Sequence, residues 1–364
     1  MSELLSPLSF RSGAKARNRI WLAPLTNQQS HEDGTLSDDE QRWLVRRAEG
    51  GFGVIETCAA YVAQDGKAWS GELGVASQAH LEGLYRLATS LREKGSLSLV
   101  QLFHGGVRAS SAVSGVPPWS ASAWTEERPG FEVPRAATLE DIQGAIANFR
   151  NAAIYSFRAG FDGVELHGAH GYLLSQFLSA TMNQRTDEWG GSFEHRARLL
   201  RETVRAVRAA TPKDFTVGVR ISPEDFGQAK GLDLDESLQL ASWLAEDGID
   251  FLHISLWNAH NNTQKRPAEH PVTLFRAALP KEVRLVSCGS LWTREDAEQQ
   301  LALGADFVAL GRSAIANPDW AKQVEDPGFV PARPPFTMAE LQDRALSPKF
   351  AGYMRNWKGF VKDE

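Results

Sequence analysis

Two imidazoles and a phenol fall close together at His167, His170 and Tyr172, inside the run Gly163–Leu178, GVELHGAHGYLLSQFL. A neutral imidazole offers one N–H, so two near their ordinary pKa of about 6.5 can converge on a single oxygen, and a phenol keeps its proton at pH 7. That set suits a substrate carbonyl that gains charge on becoming an enolate. From these residues alone two other readings stay open. The histidines can be satisfied structural groups, or the H-x-x-H spacing can ligate a metal, a weak signal without a third assigned His or carboxylate. A metal-dependent hydrolase or lyase is therefore a rival.

What must position these side chains is a regular alternation of short apolar runs with amphipathic segments, which implies a parallel sheet. Candidate strands are Arg19–Pro24, Gly53–Ala59, Leu97–Phe103, Gly163–His167, Phe215–Ile221, Phe251–Ser255, Val283–Ser287 and Phe307–Leu310. Between them the pattern predicts helices over Ser37–Glu49, Gln78–Lys94, Leu139–Ala159, Phe193–Ala210, Leu234–Glu246, Thr273–Ala278, Thr293–Leu303 and Ser313–Gln323. Ser37 and Thr293 precede acidic first turns, and Gly160, Gly248 and Gly304 stand where a glycine ends a helix. Eight strand–helix units close most economically into one (β/α)8 TIM barrel, an α/β fold, taken to span residues 1–364 as a single domain. Its active site is then built from loops at strand C-termini. Two of these loops are long: 105–138, which holds Pro117, Pro118, Pro129 and Pro134, and 256–271. Trp257, His260 and Asn261 of the second are candidates for a substrate wall, with loop packing as the alternative.

The segment around His167 resembles the substrate-binding motif of the Old Yellow Enzyme family, H-x-x-[HN]-x-Y. The run Asn183–Arg198, NQRTDEWGGSFEHRAR, is similar to the family block N-x-R-[TD]-D-x-[YW]-G-G-S-x-E-x-R, and similar segments run in order from Ala23-Pro24-Leu25-Thr26 to Gly311-Arg312. The resemblance implies an FMN-dependent ene-reductase with NAD(P)H as reductant and a small enone or enal as substrate. His167 and His170 would then hold the carbonyl oxygen, and Tyr172 would give the proton. It also implies cofactor positions. Pro24 and Thr26 would face the flavin C4 carbonyl, Ala59 would let backbone approach the ring, and Gln101 would pair with the pyrimidine edge. Arg220 would face N1 and the C2 carbonyl, where reduced flavin carries negative charge. Gly289, Ser290, Gly311 and Arg312 match a barrel's phosphate site after strands seven and eight. Thr26 stands where one subgroup has cysteine and His170 where another has asparagine, so the chain mixes features of both. A flavin-dependent NAD(P)H oxidase that never reduces an enone is the remaining alternative.

Composition narrows the partners. With 39 Lys+Arg against 45 Asp+Glu, a net charge of -6 and basic residues spread along the chain, nucleic acid is not expected. The two cysteines, Cys58 and Cys288, give no disulfide framework, four-cysteine zinc site or iron–sulfur cluster, and no bound metal is expected. Cys58 reads as a small buried residue. The absence of a long apolar run or secretory leader predicts a cytoplasmic protein without membrane contact. Oligomeric state stays open, a homodimer included.

Overall fold

The computed structural model describes residues 2–127 and 130–362. Eight strands form its centre: β1 (Ile20–Leu22), β2 (Val54–Tyr61), β3 (Leu97–Phe103), β4 (Gly163–Gly168), β5 (Thr216–Ile221), β6 (Phe251–Ser255), β7 (Arg284–Cys288) and β8 (Phe307–Leu310). Each pairs in parallel with its sequence neighbours, and β8 pairs with β1, so the sheet closes on itself. The result is a (β/α)8 TIM barrel. Closure removes every sheet edge and leaves each strand with an interior and a helix-covered face, which explains their near-continuous apolar runs.

The helices of the eight units are α1 (Asp38–Glu49), α2 (Leu81–Glu93), α3 (Leu139–Arg158), α4 (Phe193–Ala210), α5 (Leu234–Asp247), α6 (Pro271–Ala278), α7 (Arg294–Ala302) and α8 (Arg312–Ala316). Ser37 Oγ accepts from the Glu40 amide, and Thr293 and Asp296 form a reciprocal cap. Gly160, Gly248 and Gly304 all have positive φ, which ends their helices at low steric cost. One expected helix differs. Ser313–Gln323 is two pieces, α8 and Trp320–Gln323, because Pro318 has no N–H to continue the ladder.

The barrel interior is layered. Phe10, held by a hairpin pairing Leu8–Ser9 with Lys15–Ala16, stacks on Phe307 at 5.1 Å and packs against Trp21 and Phe251, closing the N-terminal end. Above this apolar plug lies a buried polar layer of Glu56, Gln101, Glu165, Arg220 and His253. The chain after β8 returns across the opposite end through helices Met338–Asp343 and Pro348–Tyr353, docked by Phe350 against Trp43 of α1 at 5.3 Å. Among the described residues no helix is long and apolar enough to cross a membrane.

Candidate active site

A deep cavity opens at the C-terminal ends of the strands. Pro24 and Thr26 follow β1, Ala59 and Gln101 lie on β2 and β3, His167 on β4 and Arg220 on β5, and all of them line it. So do His170 and Tyr172 after β4, Trp257 after β6, Gly289 and Ser290 after β7, and Gly311 and Arg312 after β8. All the residues expected to hold the cofactor and the substrate carbonyl, with Trp257, are therefore brought to one place, although these positions are spread along most of the chain.

The polar layer forms the cavity floor. Gln101 Nε2 donates to Glu165 Oε1 at 2.7 Å, Glu165 Oε2 pairs with His253 Nδ1 at 2.8 Å, and Trp21 Nε1 donates to Glu56 Oε2 at 2.9 Å. Burial and the adjacent Glu165 push the Glu56 carboxyl well up, which favours its protonated form. For Glu165 burial acts upward, but His253 and Arg220 outweigh it and hold the carboxyl low. Arg220 Nη2 donates to Ser255 Oγ at 3.0 Å and to Cys288 Sγ at 3.3 Å. Burial opposes ionisation of Cys288, yet Arg220 and His253 pull its thiol down to about 6. The register of β2 on β3 shifts between Glu56 and Ala59, a bulge that re-aims the chain as it reaches the cavity.

The two histidines meet edge to face with ring centroids 5.0 Å apart, and Tyr172 lies 5.0 Å from His167 and 4.6 Å from Phe103. Burial, reinforced by Arg220 and His253, holds both imidazoles well below their ordinary value, so both are neutral at pH 7. Burial and nearby Glu72 push Tyr172 up to about 12, so its proton is retained. His170 adopts φ +60°, a conformation costly for a side chain with a Cβ, and its amide donates to Ser222 Oγ at 3.1 Å. Neither His167 nor His170 belongs to the grouping that could hold a metal among the described residues, which is Glu56, Glu165 and His253. Among the described residues no third His, Cys or carboxylate joins the histidine pair in such a grouping.

At the far corner, Gly289 has φ +144° and a Cβ there would meet the Leu256 carbonyl oxygen at 2.3 Å. Ser290 also has positive φ, and its Oγ accepts from Arg312 Nη2 at 3.2 Å. Among the described residues Arg312 has no carboxylate partner, whereas most arginines of this chain have one. An arginine kept beside a cavity on one neutral hydroxyl has donors left with which to meet an anion.

Several expectations need correction. His260 and Asn261 do not line the cavity; the His260 ring faces Asp296 at 3.7 Å, and a hydrogen bond to Asn258 occupies Asn261. Among its described residues, loop 105–138 contributes none to the cavity lining. It is tied down instead, Trp119 to Asp65 and the carbonyls of Ala121 and Ala137 to Arg185, and its Arg128 and Pro129 lie outside the described residues. Other lining residues escaped the sequence reading: Trp69, Ser255, Cys288 and, from the C-terminal segment, Tyr353 and Trp357. Cys288 and Ser255 end strands and were open to discovery on that ground. Nothing local marks Tyr353 or Trp357.

Residues 3–327 match the family described as NADH:flavin oxidoreductase / NADH oxidase. The chain belongs to that family. This flavin oxidoreductase is 34% identical over 330 residues to the "Probable NADH-dependent flavin oxidoreductase YqiG" of Bacillus subtilis, covering 89% of this chain and 88% of the relative. It is 33% identical over 333 residues to the "NADH:acrylate oxidoreductase" of Vibrio harveyi, covering 89% of this chain but only 33% of that longer protein. The old yellow enzyme homologue from Zymomonas mobilis superposes with a TM-score of 0.82 at 27% identity, over 96% of this chain and 99% of the other. The cofactor of the family is FMN and its reductant NAD(P)H.

The residues present suit FMN. The guanidinium of Arg220 is buried beside the cavity with its Nε unpartnered, a fixed cation for an electron-rich ring edge. Gly289 permits the close backbone approach that a phosphate tail needs, and Arg312 has a free charge to meet it.

Proposed function

We propose that this flavin oxidoreductase reduces the activated C=C bond of α,β-unsaturated carbonyl compounds. The reading is carried by one observation: two neutral imidazoles and a protonated phenol face the same cavity as the arginine and glutamine that suit a flavin edge. Bound FMN would supply the hydride, having been reduced by NAD(P)H. His167 and His170 hold the carbonyl oxygen and stabilise the charge it gains, because each can donate one N–H without itself being ionised. Tyr172 delivers its proton to the α-carbon, and the raised pKa keeps that proton available. In the role proposed for it, Arg312 anchors the phosphate, away from the reacting atoms. Trp257, stacked on Phe226 at 4.4 Å, stands at the rim as the substrate's outer wall.

The similarity to a protein named NADH:acrylate oxidoreductase supports an unsaturated carboxyl or carbonyl substrate. The test is anaerobic: reduce the FMN-loaded protein with NADPH or NADH and add 2-cyclohexenone or an aryl enal. Reoxidation that consumes the enone supports the proposal. A protein reoxidised by oxygen but by no member of an enone panel is an NAD(P)H oxidase instead.

A further inference from the structure

Two hydrogen bonds meet on one hydroxyl at the end of β6. Arg220 Nη2 donates to Ser255 Oγ at 3.0 Å, and His170 Nε2 lies 2.6 Å from the same oxygen. A guanidinium has only donors, so one lone pair of Ser255 is taken by Arg220. The second contact is short. At 2.6 Å the contact fits an O–H donor, for which bonds centre near roughly 2.7–2.8 Å, better than an N–H donor, near roughly 2.9–3.0 Å, which favours the hydroxyl as the donor. Cys288 Sγ, the other group near the hydroxyl, is 3.9 Å away, a longer and weaker contact than that to His170. The Ser255 proton is therefore aimed at His170 Nε2.

A neutral imidazole that accepts at Nε2 must carry its hydrogen on Nδ1. His170 is buried beside Arg220 and stays neutral, and its Nδ1 has no partner among the described residues. His167 is arranged the opposite way. The amide of Ala169 donates to its Nδ1 at 3.3 Å, which leaves the hydrogen on Nε2. We propose that Ser255 is a positioning residue: oriented by Arg220, its hydroxyl holds His170 as the Nδ1–H tautomer, so that the two histidines each present one N–H to the same substrate oxygen. Without that hydroxyl His170 is free to place its hydrogen on Nε2, turning an acceptor toward the oxygen that needs a donor. The proposal rests on the ene-reductase reading for its substrate, but the tautomer itself does not.

The experiment has two arms on FMN-loaded enzyme. In the first, protein labelled with ¹⁵N-histidine is examined by NMR, with His170 assigned by comparison with His170→Asn. A protonated Nδ1 in the wild type, shifting toward protonated Nε2 in Ser255→Ala, is expected. A wild-type His170 protonated on Nε2 overturns the proposal. In the second, the rate at which 2-cyclohexenone reoxidises the reduced enzyme is normalised to FMN content. Ser255→Ala should lose roughly tenfold, about the weight of one hydrogen bond. Ser255→Thr should keep most of the rate, because it keeps the hydroxyl. In a His170→Ala background Ser255→Ala should cost nothing further, since its effect passes through that ring. A full additional tenfold loss there, or Ser255→Thr as slow as Ser255→Ala, overturns it. If no enone reoxidises even the wild type, the substrate reading fails, and the NMR arm still decides the role of Ser255.

Discussion

The side-chain amide of Gln101 is tied by its Nε2 to Glu165 Oε1 at 2.7 Å, and this fixes which end of the amide faces the cavity. Glu165 is an acceptor only, so the glutamine must turn a nitrogen down and present its oxygen upward, as an edge that accepts a ligand N–H. Glu165 in turn is paired with His253, and the two are fully buried. Removing one partner of such a pair strands the other. Glu165→Gln should therefore destabilise the protein by roughly 3–5 kcal/mol at neutral pH, measured by urea unfolding. The difference from wild type should shrink as pH falls through the lowered pKa of Glu165. It should shrink again as pH rises through the raised pKa of His253, because each group gives up its charge there. A difference of under about 1 kcal/mol at all pH values would make the pair no stronger than a surface one.

Arg312 meets Ser290 and no carboxylate among the described residues. Arg312→Ala should weaken FMN binding by about 1.5–3 kcal/mol, a roughly ten- to hundredfold rise in Kd by fluorescence titration. An unchanged Kd would remove Arg312 from the phosphate site.

Tyr172 keeps its proton up to about pH 12. Tyr172→Phe should slow reoxidation of the reduced enzyme by an enone while leaving reduction by NAD(P)H close to wild type, as only the first needs the proton. In the wild type the enone step should stay flat in pH from neutrality to about 9, because a raised pKa moves loss of the acid further up the scale. Stopped-flow measurement of the two half-reactions separates them, and equal slowing of both would mark Tyr172 as structural.

His170→Ala should lower the enone half-reaction on the order of 100- to 1000-fold, the usual cost of losing one donor to a developing oxyanion. His170→Asn should retain more, since an amide still offers an N–H. Because burial holds both imidazoles low, neither should contribute a titration near pH 6.5, where an exposed histidine would ionise, and a step near pH 6 that persists in His170→Asn belongs to Cys288. Wild-type rates in His170→Ala, or inactivation of the native enzyme by a chelator, would overturn the role assigned here.

How far these residues could be read in advance depended on whether their neighbours lie close in sequence. His167, His170 and Tyr172 sit in one short run, and the strand ends carrying Gln101 and Arg220 follow from alternation alone. The break of the last helix was missed, although Pro318 marks it, because the amphipathic pattern runs on either side of the proline. Long-range docking decided the rest. His260 and Asn261 resembled a substrate wall but were drawn onto α7 and a local turn. Ser255 gains its meaning only through β4 and β5, and the tether of loop 105–138 depends on Arg185.

Tyr353 and Trp357, on the segment that returns across the barrel, share the cavity wall with Pro24 and Thr26. One wall of the cavity is thus joined from two stretches more than 300 residues apart. During synthesis the early stretch emerges long before its counterpart exists, so a nascent barrel has an open-sided pocket until the chain has been made through Trp357. The cavity therefore takes its final form only after the residues through Trp357 have been made, and an insertion close to that segment would sit beside its wall.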